Sequence, residues 1–585
     1  MPNYLTRTHT EDLSQEHLSY SVHTDGSVDP FNDEIIIEHT GGGALENPIL
    51  TVNGQFNWST TEAMAKEITD GCTTDEEKAL ALFTWVRTKG NHQYSGDIQS
   101  LNPVLLFNTF GYGICSYFAA AQTGLARAIG LNARVWEIQG HTVGEIFYDG
   151  NWHMLDPDMQ LFFLNPDNKS VASIEELESD LDFYARTEAF QRIFENAYGA
   201  IRNHHQSKHD TFRYDIKHPR YVQYDYDPHI FADWRMDYTL RPGERISRSW
   251  KGNGKHNDYR EASRFKLNED EPHKTWPPVQ YGNGYVLYTL KTDRPETMQP
   301  YEVRNLTATA DGLRIDRAQD SHDGSRSHFV YRRALPYLIV GGSVTGEAFR
   351  EGDSAYDHVS IMGYKNTSVT EKKQLYQQEL PGRRRFDLSL DDFLYPEKAH
   401  YAYEHGVHVI LGTYSGNQPA TQSGLSQLQI RTEFQVQPRS LPALSLGENA
   451  VSLRHQVSLD QAFTARVTHV WTERHGIPPA PPPTPVAPVD EVSPGTAGVT
   501  FSWSSSTGAI SYRFQLSLHH RCLYPLSPNF EVDLKEARTT FHVGTGWLNP
   551  GTSYYWRVQA QSSYGIWGAW SRIQAFRTKG EASGK

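Results

Sequence analysis

Cys115, His141 and Asp156 are of the types, and in the order, that nucleophilic catalysis uses, 26 and then 15 residues apart. Cys115 follows the glycine-rich approach Phe110-Gly-Tyr-Gly-Ile114 and begins a helix. A helix N-terminus offers unbonded N–H groups and a positive dipole end, which favour a thiolate. Gly111 and Gly113 would let the backbone bring a substrate carbonyl close. A lone cysteine is as readily a small buried hydrophobe, so its neighbours decide. Asp149-Gly150 is a two-residue turn signal. A two-residue loop pairs Tyr148 with Asn151 and sets Val143 opposite Asp156. His141 then shares a face with Val143 and lies diagonal to Asp156, within side-chain reach. A carboxylate there holds the imidazole's tautomer and stabilises its charged form. Asp158 shares the same parity and is the alternative orienter. The architectural alternatives are a surface histidine and an Asp that ends a loop before Pro157.

The elements that must carry these residues are legible on both sides. Residues 34–40 and 47–52 are β-rich, and Asn53-Gly54 is a hairpin turn signal. Ser59 to Glu62 and Thr74 to Glu77 both fit a capping box. After the second, Ala79, Leu82, Phe83 and Val86 fall at helical spacing, which predicts an amphipathic helix over 75–88. Residues 116–129 predict another, closed by Gly130 at C′. The period then alternates through 133–156, giving helix followed by antiparallel strands, the mark of an α+β unit.

The 110–158 segment resembles the transglutaminase-like superfamily of papain-like cysteine enzymes. The matching pieces are GYGxC at the head of a helix, an A-R-x-W strand, G-H-T-x-x-E, and D-G-x-W-x-x-L-D-P-D. The resemblance covers about 60–160. It implies Cys115 as nucleophile, His141 as base and acid, Asp156 as orienter, and Tyr94 as an oxyanion donor beside the Cys115 N–H. The implied chemistry is acyl transfer through a covalent acyl-enzyme, and it needs no cofactor. The superfamily includes cross-linking enzymes, proteases, amidases and inactive members, so the fold does not choose the reaction.

Other candidates lie further on. His204, His205 and His209 form a small cluster at helical spacing that is either a zinc half-site or a solvated helix end; no metal site is assigned to it. Tyr221, Tyr224, Tyr226 and His229, with Asp225, Asp227 and Asp233, combine aromatic faces and carboxylates. These suit sugar rings, or pack a domain interface. YGNGY (281–285) reads as a turn opening a strand. Cys72 and Cys522 have no nucleophile context, and three cysteines make no disulfide framework.

The remaining sequence sets the architecture. The expectation is a multidomain chain: an N-terminal β segment (1–58), an α+β core (59–210), a Tyr/Asp/His-rich connection (211–275) and a β-sandwich (276–476). A Pro-rich linker (477–490) and a small β module (491–580) follow. The last module resembles a fibronectin type III domain, with Trp503 and Trp556 as buried aromatics and Trp567-Gly-Ala-Trp570-Ser571 as a tryptophan ladder. Seven prolines within 478–488 predict an extended spacer and a removable tail. Lys+Arg is 55 and Asp+Glu 69, a net charge of −14 that excludes nucleic-acid and anionic-membrane partners. No apolar run is long enough to span a membrane. The polar N-terminus shows no leader, so the chain is cytoplasmic, or it is secreted, periplasmic or at the cell surface after a leader is removed. Three functions follow: a cysteine enzyme acting on protein or peptide amides, a secreted polysaccharide-degrading enzyme on the same core, or a non-catalytic adhesion protein. Oligomeric state is not encoded in any motif.

Overall fold

The computed structural model describes the chain except residues 1, 139–140, 159, 180–222, 225–233, 258–278, 295–296, 299–300, 316–325, 352–356, 366–371, 396–400, 414–422, 457–461, 494–497 and 581–585. The chain is mostly β and multidomain. It opens with β1 (Asn3–Ser14), β2 (Ser19–Thr24), β3 (Val28–Gly42) and β4 (Leu45–Val52). These strands pair with distant ones. β1 and β3 flank the strand Phe463–His475, while β2 and β4 flank Gly447–Gln456. The N-terminal segment thus completes the sandwich of the 276–476 region.

The connecting region does the same. Its β11 (Thr239–Leu240) pairs with β4, and its β12 (Glu244–Ser249) lies between β3 and β13 (Gly282–Thr289). The row Val467, Ile37, Ile246, Val286 and Thr432 crosses five neighbouring strands, and every member is fully buried. Such same-face rows fix register, because a one-residue slip would turn each side chain to the other face. YGNGY differs from the expected turn, since β13 begins at Gly282. A Cβ on Gly284 would lie 2.3 Å from Phe434 and 2.5 Å from the Ser247 carbonyl, so this glycine admits close packing inside the sheet.

The core's helices are α1 (Thr61–Ile68), α2 (Asp75–Lys89), the single turn α3 (Pro103–Leu105), α4 (Cys115–Ala128) and α5 (Ile174–Ser179). Thr74 and Glu77 form the complete capping box of α2. The N-cap of α1 is Thr60 rather than Ser59, and its hydroxyl accepts from the Ala63 N–H. α4 ends in a Schellman motif: the Leu131 N–H reaches the Ala126 carbonyl, the Gly130 N–H reaches Arg127, and Gly130 sits at φ +85°. Between α2 and α4, β5 (Asn91–His92) runs parallel to β6 (Tyr112–Gly113). β7 (Ala133–Ile138), β8 (His141–Tyr148) and β9 (Asn151–Leu155) form the antiparallel sheet on which α4 packs. β10 (Gln223–Tyr224) pairs with the outer edge of β7.

The C-terminal module is a two-sheet β unit with Trp503 and Trp556 buried inside. The guanidinium of Arg513 lies over Trp567 and that of Arg557 over Trp570. The 477–490 segment is bound rather than free. Ile477 and Ala480 are buried, Pro485–Ala487 pairs with Val499–Trp503, and the Pro488 carbonyl accepts from Trp556 Nε1. The module also docks on the α+β core, through Arg87–Glu531 at 2.6 Å, His519–Glu77 at 3.1 Å and an Asn549 Nδ2 bond to the Asp167 carbonyl. Proline composition encodes extension, but says nothing about which surfaces the extended chain will meet.

Candidate active site

Cys115 is the first residue of α4 and is half-buried. Its N-cap, Ile114, makes no side-chain cap bond to the first turn. Tyr117 to Ala126 are all buried, which holds the helix rigidly beneath its first turn.

The approach to Cys115 is braced from the β-sandwich. Gln437 bonds the Asn108 and Phe110 carbonyls, Gln435 the Thr109 carbonyl, and the Tyr112 hydroxyl donates to the Asn257 carbonyl. Gly111 has φ +67°, and a Cβ there would lie 1.4 Å from Gln437 Nε2. A Cβ on Gly113 would meet Tyr117 Cβ at 2.7 Å. Packing therefore already demands both glycines, whatever they offer a substrate. No local sequence signal marks Gln435, Gln437 or Asn257, because their partners lie more than 140 residues away.

The β8–β9 hairpin has the expected register. Tyr148 pairs with Asn151 and Gly144 with Leu155, around Asp149 and Gly150 at φ +49° and +81°. Asp156 follows directly, with its side chain buried, and exchanges two backbone bonds with Leu161. His141 is the first residue of β8. Two contacts fix how α4 lies along this strand. Arg127 donates to the carbonyl of Ala133, the residue paired with Ile146, and Gly144 abuts Gln122 and Thr123. Helix and strand thus run in the same direction. Seven helical residues back from Gln122 is about 10.5 Å; three strand residues back from Gly144 is about 10 Å. The backbones of Cys115 and His141 therefore end level at one end of the layer. Gln122 Nε2 also donates to the Leu155 carbonyl at 3.2 Å, bringing the start of Asp156 to the same helix.

The other conspicuous motif residues form a clamp. Glu145 is fully buried and accepts from Arg134 at 2.6 Å, Trp136 Nε1 at 2.5 Å and the Ile174 N–H at 2.8 Å. The Arg134 guanidinium lies between Trp136 and Trp152. Burial raises the Glu145 carboxyl, against the pull of these donors. Tyr94 is half-buried, with its ring edge-on to Tyr117 at 6.0 Å. Asp158, the alternative orienter, is held by His92: its Oδ1 lies 2.6 Å from His92 Nδ1. Tyr224 lies on β10 opposite Val135. Tyr221, Tyr226 and His229, like His204, His205 and His209, fall outside the described residues. Among the described residues, no group of three or more His, Cys, Asp or Glu could hold a metal, and no helix is long and apolar enough to cross a membrane.

Residues 62–157 match the family model of the transglutaminase-like superfamily. The matched span of this transglutaminase-like core includes Cys115, His141 and Asp156. Among solved structures, the chain is similar to an Fn3-like protein from Clostridium thermocellum, with 21% identity over 18% of this chain and 95% of that one (TM-score 0.13). It is similar to the FN1–FN3 domains of chicken CNTN1, with 13% identity over 43% and 97% (TM-score 0.16). A third similar structure is red sea bream transglutaminase, with 8% identity over 93% and 77% (TM-score 0.16). No match was found among curated proteins.

Proposed function

We propose that the chain is a cysteine-dependent acyl-transfer enzyme acting on amide bonds. The observation that carries this reading is the shared direction and matched rise of α4 and β8, with Cys115 and His141 at one end. In this reading His141 takes the thiol proton and Cys115 Sγ attacks the carbonyl carbon. The Cys115 N–H stabilises the oxyanion, with Tyr94 as a further donor. The C–N bond breaks, and His141 returns its proton to the leaving amine. Water or a second amine then takes the acyl group. Asp156 orients the imidazole. The test is a screen of the full chain and its Cys115→Ala variant against peptide amides, glutamine donors and acidic polysaccharides. Amide turnover lost in the variant supports the reading. Polysaccharide cleavage that survives Cys115→Ala would replace it with the carbohydrate reading.

A further inference from the structure

The outward face of the large sheet of the β-sandwich carries a polar row. Thr289 on β13 pairs with Gln429 in the strand Ser423–Val436, Gln429 with Thr345 in Arg326–Arg350, and Thr345 with Asp387 in Gly382–Ser389. Their strand neighbours Tyr288, Leu428, Ile430, Val344 and Phe386 are buried, so alternation turns all four side chains outward. At about 4.8 Å from strand to strand, the row is about 14 Å long. It forms the floor of an open groove of about 730 Å³. Gln429 Nε2 reaches Thr289 Oγ1 at 3.4 Å, a long and exposed bond.

Thr289 and Gln429 also line a smaller pocket of about 160 Å³ at the Thr289 end of this groove. Arg245, Lys291 and Arg294 surround it. Among the described residues none of the three has an ion pair, and Arg245 Nε is buried with no hydrogen-bond partner. Of the two carboxylate residues that line the pocket, Glu244 is matched by Arg333 and Tyr301, and Glu38 faces Arg466 on the next strand. The cations are carried on fixed backbone. Arg245 pairs with Glu38 and Leu287 on the strands to either side, and the buried Thr297 hydroxyl ties the Lys291 and Arg294 carbonyls at 3.2 and 2.9 Å. In a chain of net charge −14, three such cations around one pocket make a local field that favours an anion.

We propose that this pocket and groove bind an acidic saccharide, its carboxylate among Arg245, Lys291 and Arg294 and its hydroxyls along Thr289, Gln429, Thr345 and Asp387. Guanidinium and ammonium groups give a carboxylate charge-assisted hydrogen bonds. Hydroxyl and amide side chains both donate and accept, and Asp387 accepts, which matches the hydroxyls of a sugar. The strands of Gln429 and Thr345 are hydrogen-bonded along both edges, so the floor offers an extended peptide no ladder to join. The site lies on the β-sandwich and stands independently of the Cys115 reading.

Titration calorimetry of the full chain tests this with uronate trisaccharides (of galacturonate, glucuronate and mannuronate), the matching neutral trisaccharides, inorganic phosphate and triglutamate. At least one uronate trisaccharide should bind about tenfold or more tightly than its neutral counterpart, phosphate or triglutamate. Arg245→Gln, and Lys291→Gln with Arg294→Gln, should each weaken that binding about tenfold or more, and Gln429→Ala about threefold or more. Lys291 and Arg294 are exposed, so their double variant should keep the parent's melting temperature. Cys115→Ala should bind as the parent does. Absence of binding by every uronate, or an affinity that the charge variants leave unchanged, would overturn the proposal. So would equal binding of the neutral sugars, of phosphate, which would reduce the site to a pocket for free anions, or of triglutamate, which would make it a peptide site. Binding lost in Cys115→Ala would move the saccharide to the candidate active site and overturn the proposal as well.

Discussion

Gln122 and Leu155 join the two halves of the candidate site through one hydrogen bond, Nε2 to carbonyl oxygen at 3.2 Å, inside a fully buried contact. The helix that begins at Cys115 is thereby tied to the strand that ends before Asp156. Replacing Gln122 with Ala removes one donor from the Leu155 carbonyl, which keeps its ladder partner Gly144. That should cost about 0.5–1.5 kcal/mol in urea unfolding, and should slow any reaction that needs both residues.

The three thiols should separate by reactivity. Burial, with Glu77 nearby, raises the Cys72 thiol, and burial pushes Cys522 up to about 11. Iodoacetamide at pH 7 should therefore label Cys115 first, read by peptide mass spectrometry. Label spread evenly over the three would remove Cys115 from its proposed role.

His141 and Asp156 should act as a unit. His141→Ala should remove nearly all turnover, while Asp156→Asn alone should cost about 10²–10⁴-fold. The double variant should be little worse than His141→Ala. Losses that multiply would show that the two do not share one imidazole.

Glu145→Ala should destabilise the core by about 3–5 kcal/mol, because it leaves the half-buried Arg134 guanidinium without its buried partner. Denaturation midpoints would measure this. An unchanged midpoint would mean that Glu175, 2.8 Å from Arg134, suffices as counter-ion.

Glu76 should make stability fall with rising pH. Burial first, then the charges of Asp149, Glu77 and Asp167, push its carboxyl up from 4.5 to about 7. Between those values the folded chain holds a proton that the unfolded chain has lost, so stability declines as pH rises through the window. Glu76→Gln should be more stable than the parent at pH 8, by on the order of 1–2 kcal/mol, and equal to it at pH 4. A variant that gains nothing at pH 8 would place this carboxyl in water.

What the sequence determined by itself is local. The capping box at Thr74, the Schellman end at Gly130 and the Asp149-Gly150 turn each depend on residues within a few positions. The turn alone sets the parity that relates His141 to Asp156. What only the tertiary structure decided is long-range. The 1–58 segment and the strand Glu244–Ser249 enter the β-sandwich because buried rows such as Ile37, Ile246 and Val286 match across strands far apart in the chain. Gln435 and Gln437 reach the nucleophile's approach from more than 300 residues away. His92, on β5, meets Asp158, in the turn after β9, across 66 residues and with no local signature. The docked C-terminal module belongs to the same class: proline restricts φ within its own residue, whereas the ion pairs at Glu531 and His519 exist only once two separate surfaces have folded.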